Sequence, residues 1–373
     1  MPSVSSQADK FYAGRPGLIT PFAMPDILQT ISLMFRRPLI SLGTYCDEDI
    51  QGVAQWPIDW KGPVGIAQRL PVRYIGLVTE PENVPASVHA LQKALAKRRV
   101  GRAYFSFSPQ YRLNTEELQH QLSEVGLAAA IRNDFEPLSP RPIAGREPPV
   151  IIVPNVACIL KIEGTSEDEI IAAVSQARAR TSLRQTLRHI SGRDATMEDV
   201  AVHLPRLLTS TYGRTANESP YPPGAFEIFW QRHNTDPNVL MRTMTLDASN
   251  QPVGMAIGIM HHGVVYSLVL VRDYAVAKSI NVTARLITDM AAKAKAKGCS
   301  SYDLGGGTAG IVEFKVRLGA QCHSYVDLQV THPCYRSLFS VWEYRKKRQH
   351  LLHAGTRLPE QEHVGTAGIP PRP

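Results

Sequence analysis

The sequence has little of what identifies a secreted, metal-binding or membrane-spanning protein. It contains five cysteines in 373 residues, an odd number, and they are scattered without a C-x-x-C pair. That pattern argues against a disulfide scaffold and a zinc site, and it fits a reducing cytosol. The segment MPSVSSQADK lacks the basic and apolar regions of a signal peptide, and no run approaches the roughly 18 apolar residues of a membrane span. We therefore expect a cytoplasmic protein with no metal site and no membrane span.

The composition predicts a folded chain and favours an anionic partner. The length is typical of two or three domains, and a hydrophobic content of 43% indicates a well-formed core. The net charge of +8 favours a polyanionic or phosphate-bearing partner, or else a basic surface without such a partner. Two proline-rich segments divide the chain, a linker at 136–154 and a tail. We expect an N-terminal domain over 1–150, a C-terminal domain over 151–350 and a disordered tail over 351–373.

The two halves end in weak copies of one plan, which is helix, strand, helix, strand. The first half carries ASVHALQKALAKRRVG, RAYFSF, NTEELQHQLSEVG and LAAAIRNDF, and the second carries NVTARLITDMAAKAKAKG, SSYDL, a short helix ending in VRLG, and QCHSYVDLQV. Gly101 corresponds to Gly298 in this alignment of the halves, and Gly126 corresponds to Gly319. Repeats of about 150 residues indicate a duplicated domain rather than a solenoid.

The second half is predicted to begin with helices and to continue with a three-stranded meander. Ser166 and Glu169 form a capping box, which predicts a long helix reaching to about Ile190. Two more helices are predicted in MEDVAVHLPRLLTSTYG and PGAFEIFWQRH. Short turns, DASNQP and HHG, join three strand candidates and make them antiparallel, at 239–246, 253–260 and 264–271. The fold class is therefore α/β, with a mixed sheet of the α+β kind.

A glycine-rich stretch near the end of the second half raises the question of a nucleotide site. The stretch YDLGGGTAGIVEFKVRLGA contains Gly305, Gly307 and Gly310 as a formal G-x-G-x-x-G, and Asp327 stands where a ribose-binding acid would be expected. A dinucleotide fold places this motif in its first strand–helix turn and adds further units after it. Here the folded chain is almost complete, so we expect no nicotinamide or flavin cofactor. The glycines then either make a tight turn or present backbone N–H groups to an anion.

The same stretch resembles the signature of the Fem family of aminoacyl-tRNA-dependent transferases, a branch of the GNAT N-acyltransferases. The matching residues are Tyr302, Asp303, Leu304, Gly305, Gly306, Gly310, Phe314, Lys315 and Gly319. The spacing from Gly310 through Phe314 and Lys315 to Gly319 is the most specific part. In the first half, LPVRYIGLV at 70–78 resembles a strand of the family's first domain. The resemblance implies two tandem GNAT-like domains, with the fold of acyl-CoA N-acyltransferases.

The resemblance also implies an activity and its partners. It implies a transferase that forms an amide or peptide bond, with aminoacyl-tRNA as co-substrate and a small-molecule, peptide-like or cell-wall-precursor amine as acceptor. Residues 271–283 stand in place of the coenzyme A pyrophosphate loop of ordinary GNAT enzymes and contain no glycine, which argues against acetyl-CoA. The sequence shows no long coiled-coil arm. Two alternatives stay open, an acyl-CoA-dependent N-acyltransferase and a non-catalytic protein that binds nucleic acid or a precursor.

Lys315 and Asp303 are the expected catalytic residues. A positive charge beside the reacting carbonyl stabilises the oxyanion of the transition state, and one such donor is worth about 3–4 kcal/mol. Lys315 lies at the edge of a predicted core stripe of Ile311, Phe314 and Leu318 and is directed toward the glycine-rich end of its helix. The alternative is a solvated helix lysine. Asp303 either orients the amine and accepts its proton, or caps the turn that follows it.

The repeat assigns catalysis to the second half. Leu122 precedes Gly126 by four residues, at the place where Lys315 precedes Gly319. The first half therefore lacks the charged group, and its domain is expected to be non-catalytic. Phe314 is a candidate platform for substrate, and the alternative is a core residue.

The remaining candidates are expected to bind substrate. Arg180, Arg184 and Arg188 recur every four residues of the predicted long helix, where like charges disfavour helix formation by a few tenths of a kcal/mol per pair. That cost suggests a phosphate-bearing partner, such as a tRNA acceptor stem or a sugar nucleotide, and the alternative is a solvated basic face. Tyr212 and Arg214 belong to a proline-rich loop that is expected to face substrate. The set is completed by Gly305, Gly306, Gly307 and Phe314.

Overall fold

The computed structural model of the chain covers most of its residues. The described ranges are 11–12, 14–15, 18–46, 49–67, 70–133, 148–164, 166–174, 176–213, 218–276, 281–336 and 338–339. The tail expected over 351–373, and Arg214, lie outside these ranges.

Helices and strands alternate in both halves of the chain. The first half contains α1 (Pro25–Met34), β1 (Leu39–Cys46), β2 (Asp49–Lys61), β3 (Val64–Ala67), β4 (Leu77–Thr79), α2 (Val84–Lys97), β5 (Val100–Ser106), α3 (Thr115–Glu124) and β6 (Ala129–Ile131). The second contains β7 (Val150–Lys161), α4 (Glu167–Ala173), α5 (Ala177–Thr186), β8 (Ile190–Asp194), α6 (Leu204–Gly213), α7 (Ala225–His233), β9 (Val239–Leu246), β10 (Pro252–His261), β11 (Val264–Arg272), α8 (Val282–Ala296), β12 (Ser301–Asp303), α9 (Ala309–Arg317) and β13 (Gln321–Thr331).

The strands of the described residues join into a single mixed sheet. Its order is β1-β2-β3-β5-β13-β7-β12-β11-β10-β9-β8, with β4 paired to β2 and β6 paired to β7. The pairs β3–β5, β6–β7 and β11–β12 are parallel. The predicted antiparallel meander of β9, β10 and β11 is confirmed, and its second turn contains His262 and Gly263 at φ values of 46° and 74°. Both residues thus take the left-handed conformation of a tight hairpin turn.

Two long strands, β7 and β13, connect the halves. They pair with each other in antiparallel fashion over most of their length. The last part of β13 also pairs with β5 of the first half, from Asp327 opposite Ser106 to Thr331 opposite Arg102. The boundary expected near residue 150 falls between β6 and β7, and the sheet runs without interruption across it.

The hydrophobic core is also shared between the halves. Leu28 and Ile31 of α1 pack in one buried cluster with Phe226 and Phe229 of α7. The Thr30 hydroxyl lies 2.8 Å from Nε2 of His233 across the same contact. The two halves therefore hold each other in position, which fixes the walls of any cleft between them.

The long helix predicted from Ser166 to about Ile190 is wrong, because two short helices and a strand occupy that segment. The capping box at Ser166 is present and starts α4, but Val174 has an extended backbone with ψ of 121° and ends it. Ile190 begins β8, opposite Leu246 of β9. Pairing with the sheet edge gives this segment hydrogen bonds that the helical pattern did not anticipate.

Two details of the first half also differ from the prediction. Only the end of segment 70–78 is a strand, since β4 begins at Leu77 and the residues before it pack irregularly in the shared core. Gly101 lies inside β5 and does not match Gly298, which follows α8 with φ of 90°. Arg99, with φ of 59°, takes that position after α2. The two halves therefore repeat their order of elements more closely than their glycines.

Candidate active site

The candidate site lies where two parallel strands separate. β11 and β12 pair over three residues only, from Val264 opposite Ser301 to Tyr266 opposite Asp303. β11 then continues, while the other chain leaves the sheet through a turn at 304–308 and enters α9. A cavity of about 1140 Å³ opens beside this turn, and both halves of the chain line it. Its wall includes the turn, α9, the end of β11, the segment at 70–75 and parts of β5, β7 and β13.

Lys315 binds the backbone carbonyls of the glycine-rich turn from its buried side. Its side chain is only 6% exposed, and its Nζ donates to the carbonyl oxygens of Leu304, Gly305 and Gly306 at 2.7, 2.8 and 2.7 Å. An ammonium group has three protons, so all of its donors are used by these carbonyls. The prediction that Lys315 is directed toward the glycine-rich end of its helix is confirmed. The solvated lysine that was the alternative is ruled out by the burial.

These contacts fix the direction of the neighbouring N–H groups. The described peptide bonds are all trans, so each C=O and the N–H that follows it point in opposite directions. Because three carbonyls converge on Lys315, the N–H groups of Gly305, Gly306 and Gly307 point away from it. The N–H of Gly305 donates to Asp303, whereas those of Gly306 and Gly307 have no acceptor among the described residues. Gly306 and Gly307 both line the cavity.

The glycines of the formal nucleotide motif differ in what they require. Gly305 has φ of 67°, and a Cβ there would overlap the guanidinium of Arg73. Gly306 lies so close to β7 that a Cβ would meet the carbonyl oxygen of Val156 at 2.4 Å. Gly310 has open space around it and no positive φ. Gly305 and Gly306 thus allow a tight turn that packs against neighbouring backbone, which is the first of the two alternatives that the sequence left open. Two N–H groups of this turn have no acceptor among the described residues.

Asp303 and Arg73 lie on the other side of the turn. Asp303 is 2% exposed, and its Oδ1 accepts the N–H of Gly305 at 2.7 Å, so it caps the turn. Arg73, from the first half, places Nη1 3.6 Å from the same carboxylate oxygen and donates through Nη2 to the Ser267 carbonyl at 3.4 Å. Nη1 itself is buried and has no hydrogen-bond acceptor among the described residues. Asp303 does not line the cavity, whereas Arg73 does.

Burial affects the charges of this cluster. It lowers the pKa of Lys315 to about 8, and the Arg73 charge acts in the same direction. The three carbonyl acceptors favour the ammonium form and oppose that shift. Burial and the Asp303 carboxylate raise the pKa of the Tyr74 hydroxyl well above its ordinary value. Lys315 and Asp303 are therefore neighbouring buried charges that the turn and Arg73 compensate.

The structure brings most of the predicted site residues together. The cavity wall contains Lys315, Gly306, Gly307, Phe314 and Tyr212. Asp303 and Gly305 lie directly behind that wall, in contact with Arg73.

The arginine stripe does not reach the cavity wall. Arg180 and Arg184 belong to α5, while Arg188 lies beyond the helix end at Thr186, so the expected run along one helix is wrong. Arg180 donates through Nη1 to the carbonyl of Val174 at 2.5 Å. Arg184 and Arg188 are exposed. These arginines can contact only a part of a ligand that extends outside the cavity.

The predicted core stripe of α9 is wrong at its first position. Ile311 is 41% exposed and lines the cavity, while Leu318 is buried at 3%. Phe314 is half-buried, packs against the core and also lines the cavity. Its position is therefore compatible with both alternatives from the sequence, a core residue and a platform for substrate. Within α9, Lys315 is the buried residue. A buried lysine between exposed apolar side chains reverses the usual helix pattern and indicates a site.

Sequence reasoning missed the residues that the first half and the sheet contribute. Asp327 of β13 is 4% exposed, lines the cavity and accepts from Nδ2 of Asn155 at 3.0 Å. The sequence suggested only that Asp327 could bind a ribose, and the expectation that there is no dinucleotide fold removed that role. Arg73 had a detectable signal, because it is a charged residue inside the apolar segment LPVRYIGLV. Arg272, whose guanidinium lies 4.2 Å from the ring centroid of Tyr274, also lines the cavity.

The connection from β11 to α8 borders the cavity and carries a carboxylate. Oδ2 of Asp273 pairs with Arg206, and Oδ1 accepts the N–H of Ala275 at 2.9 Å. Asn281 caps α8 by accepting the N–H of Ala284 at 3.2 Å. The N–H groups of Ala275 and Ala284, one on each side of this connection, are thus bonded to side chains and not presented to a pyrophosphate.

Two kinds of feature are absent from the described residues. No group of three or more His, Cys, Asp or Glu side chains within them has the geometry to hold a metal ion. In the same part of the chain, each helix is too short or too polar to cross a bilayer.

The chain is similar to one family model and, in its fold, to several solved structures. Residues 176–316 match the family model of the acetyltransferase (GNAT) domain. The solved structure of FemX is similar over 87% of this chain and 96% of that chain, with a TM-score of 0.60 and 14% identity. A tandem GNAT protein from the clavulanic acid biosynthesis pathway gives a TM-score of 0.52 at 9% identity, with 88% and 96% covered. L-PGS from Bacillus licheniformis gives 0.50 at 10% identity, with 92% and 96% covered.

No curated protein matches the chain in sequence. The structural similarities establish the fold, a mixed α/β architecture of two GNAT-like parts as predicted, and the family match at 176–316 lies within the half that contains Lys315. Residues 176–316 thus match an acetyltransferase (GNAT) domain, within a chain whose fold is similar to those of FemX and the tandem GNAT protein.

Proposed function

We propose that the chain transfers an aminoacyl group from aminoacyl-tRNA to the amine of a peptide-like or cell-wall-precursor acceptor, forming an amide bond. The observation that carries this proposal is the turn held by Lys315, in which the N–H groups of Gly306 and Gly307 line a cavity and have no acceptor in the described part of the chain. The match of Phe314 and Lys315 to the Fem signature and the similarity to FemX over most of the chain support it.

The reaction is attack of an amine nitrogen on an ester carbonyl. The C–N bond forms while negative charge collects on the carbonyl oxygen, and the ester C–O bond then breaks. The amine proton passes to the departing ribose oxygen, so atoms and charge balance. The ester is already activated, and the step needs no metal, nicotinamide or flavin. What the protein must supply is donors for the oxyanion and a position for each reactant.

The turn supplies the donors. We assign the oxyanion to the N–H groups of Gly306 and Gly307, since Lys315 has used its three protons on the carbonyls behind them. Lys315 then acts through the turn, by fixing and polarising peptide groups, and is a positioning residue. This revises the direct contact between Lys315 and the oxyanion that the sequence suggested. Lys315 and Asp303 hold opposite sides of the same turn, so both act on its geometry.

The opposite wall is suited to the acceptor. Asp327 places a carboxylate in the cavity, held by Asn155, and a buried carboxylate binds an ammonium ion strongly and accepts N–H hydrogen bonds from the neutral amine. The neutral amine is the form that attacks, so an acceptor that arrives as an ammonium ion first releases one proton to solvent. We assign the acceptor amine to this residue. Replacing Asp327 by Asn should raise the KM for the amine more than it lowers kcat, and an unchanged KM would remove the assignment.

Charge at the cavity favours an anionic donor. Arg73 presents a buried Nη1 without an acceptor, and Arg272 lines the same space. Asp273 bonds the N–H group of Ala275 and Asn281 bonds that of Ala284, which removes two backbone donors that a pyrophosphate could use beside the β11–α8 connection. The arginines suit either anionic donor, whereas the bonded N–H groups favour aminoacyl-tRNA over coenzyme A, with phosphates bound by side chains and not by a backbone loop.

A second candidate is an acyl-CoA-dependent N-acyltransferase. The observation in its favour is the match of residues 176–316 to the acetyltransferase (GNAT) domain, which includes the connection where such enzymes bind coenzyme A. Calorimetry with coenzyme A separates the candidates, because micromolar binding would promote this one.

Incubation with charged total tRNA and a panel of amines, read by mass spectrometry, tests the first proposal. We expect an acceptor heavier by one aminoacyl residue, lost when the tRNA is first digested with RNase. A parallel incubation with acetyl-CoA should give no product. Acetylated amines, or products that resist RNase, would overturn the proposal in favour of the second candidate.

A further inference from the structure

Two cysteines face each other beneath the turn. Cys158 of β7 and Cys322 of β13 are direct partners in the antiparallel register of these strands. Residues directly opposite each other in such a pair project from the same face of the sheet. The scattered cysteines gave no sign of this in the sequence, because the two are far apart along the chain.

The hydrogen bonds show which kind of pair this is. The N–H of Cys158 donates to the carbonyl of Gly305 at 3.1 Å, and its own carbonyl accepts from the N–H of Leu304 at 2.9 Å. Both backbone groups of Cys158 therefore point toward the turn and away from β13. Cys158 and Cys322 consequently form a non-hydrogen-bonded pair, in which the Cα atoms are about 4.5 Å apart. A disulfide requires about 4.4–6.8 Å between Cα atoms, so this position accepts one.

The two thiols differ in access to reagents. Cys158 is fully buried in the core of the second half, whereas Cys322 is exposed. Cys322 lies in the first part of β13, before the pairing with β5 begins at Asp327. A small oxidant can reach Cys322, and the buried partner is then positioned to react with it.

We propose that Cys158 and Cys322 are a redox-active dithiol that closes to a cross-strand disulfide and thereby modifies the turn held by Lys315. The oxidant is a small-molecule disulfide. The Cys322 thiolate attacks it and releases one thiolate, which leaves a mixed disulfide on Cys322. Cys158 then attacks the Cys322 sulfur, the second small thiolate leaves, and the two cysteine protons end on the two released thiols.

The disulfide is coupled to the turn through one residue. Cys158 bonds Leu304 and Gly305 through its backbone, and the carbonyls of these two residues hold Lys315. Closing the bond draws the Cβ atoms to about 3.8 Å, which is closer than a sheet pair normally allows and shifts the backbone of Cys158. Burial raises the pKa of the Cys158 thiol and the Lys315 charge lowers it, so Cys322 is the first to react.

The test of the site does not depend on the proposed function. The purified full chain is equilibrated in buffers of reduced and oxidised glutathione, then alkylated and mapped by mass spectrometry. We expect a Cys158–Cys322 crosslinked peptide that dithiothreitol removes. Cys322→Ser should abolish it, whereas Cys334→Ser, which removes another exposed thiol, should not. Glutathione that stays on Cys322 without a crosslink under oxidising conditions would overturn the site.

The effect on the turn is measured by activity and rests on the proposed function. We expect oxidation to lower the transfer rate at least about tenfold in the wild type and in Cys334→Ser, with full recovery on reduction, and to leave Cys322→Ser unaffected. A crosslink that forms without any change in transfer would refute the coupling to the turn, while the mapping would still establish the dithiol. Absence of transfer from the reduced wild type would refute the proposed function instead.

Discussion

The last helices of the two halves, α3 and α9, occupy the same place in the repeated plan and differ in what they support. The first turn of α3 is closed by its own side chains, since Asn114 accepts the N–H groups of Glu116 and Glu117 at 3.0 Å each. Leu122, in the last part of the same helix, is fully buried in the core. At α9, Thr308 provides no side-chain cap, and Lys315 occupies the position of Leu122. The start of α3 is therefore capped by a side chain, whereas the start of α9 is uncapped and borders the cavity.

The second half gives up stability at this helix that the first half retains. A capped helix start and a buried leucine stabilise the first half without exposing a polar group. The second half instead buries an ammonium, uses it to hold three carbonyls and leaves N–H groups of the turn without acceptors. Such a departure from a well-packed pattern is expected at a site and not elsewhere.

The largest expected effect on stability comes from exchanging the two matched positions for methionine. Lys315→Met removes the ammonium donor of three carbonyls, two of which have no other described donor, and should lower the free energy of unfolding by about 2–4 kcal/mol. Leu122→Met conserves volume and should cost less than about 1.5 kcal/mol. Urea denaturation of both variants measures the difference.

Equal losses of unfolding free energy in the two variants would contradict the difference between α3 and α9, because they would show that Lys315 is no more than a buried side chain. The expectation replaces the small cost that a lysine at an exposed helix edge would have given. Lys161→Met, at a lysine whose side chain is 78% exposed, controls for the removal of a charge.

The next effect separates the glycines of the turn. Gly305→Ala forces a side chain into a backbone with φ of 67° and onto Arg73, and should destabilise the fold by about 1–2 kcal/mol or more. Gly310→Ala meets open space inside α9 and should stabilise it by up to about 1 kcal/mol. Thermal unfolding measures both. A similar change in melting temperature at the two positions would mean that the turn is not held as described.

A smaller effect concerns the arginines outside the cavity. If tRNA extends past the cavity to Arg184 and Arg188, the double variant Arg184→Gln/Arg188→Gln should bind it more weakly and with a shallower salt dependence. Each lost contact changes the log–log slope by roughly 0.7 for a single strand and 0.9 for a duplex. Turnover at saturating tRNA should persist. A binding titration with unchanged affinity and slope at low and high salt would show a solvated face.

The smallest effect is a pH dependence of stability. The pKa of Lys315 is lowered to about 8 in the folded chain from an ordinary value of 10.5, so between these values the unfolded chain binds a proton that the folded chain has released. The free energy of unfolding of the wild type should therefore rise with pH in this window, relative to Lys315→Met. The carbonyl contacts that favour the ammonium keep the rise small. Parallel curves for the two proteins would place the pKa at its ordinary value.

Much of the second half could be predicted because its pattern is local. The meander of β9, β10 and β11 was predicted from its short turns, and α8 was predicted in the segment NVTARLITDMAAKAKAKG; the structure has both where they were predicted. The segment after Ser166 was mispredicted because the pairing of β8 with β9 is a long-range contact. The exchange of strands between the halves, with β13 beside β5, also has no local signal.

The site shows the same division. The spacing of Phe314 and Lys315 located the turn, and the structure places both at the cavity. Their partners were not predictable, because Arg73 and Asp327 reach the cavity through the shared sheet and core and not through any motif. The role of Lys315 also depended on geometry, since only the three carbonyl contacts show that its protons are already used.

The most direct test of the account is the single-turnover rate of aminoacyl transfer from charged tRNA by Lys315→Met and Leu122→Met, measured where both variants are shown to be folded. We predict that Lys315→Met loses at least about 100-fold in rate, because an oxyanion donor is disturbed, while Leu122→Met keeps the wild-type rate. Transfer by Lys315→Met at the wild-type rate would contradict the claim that the open turn of the second half is the site of acyl transfer.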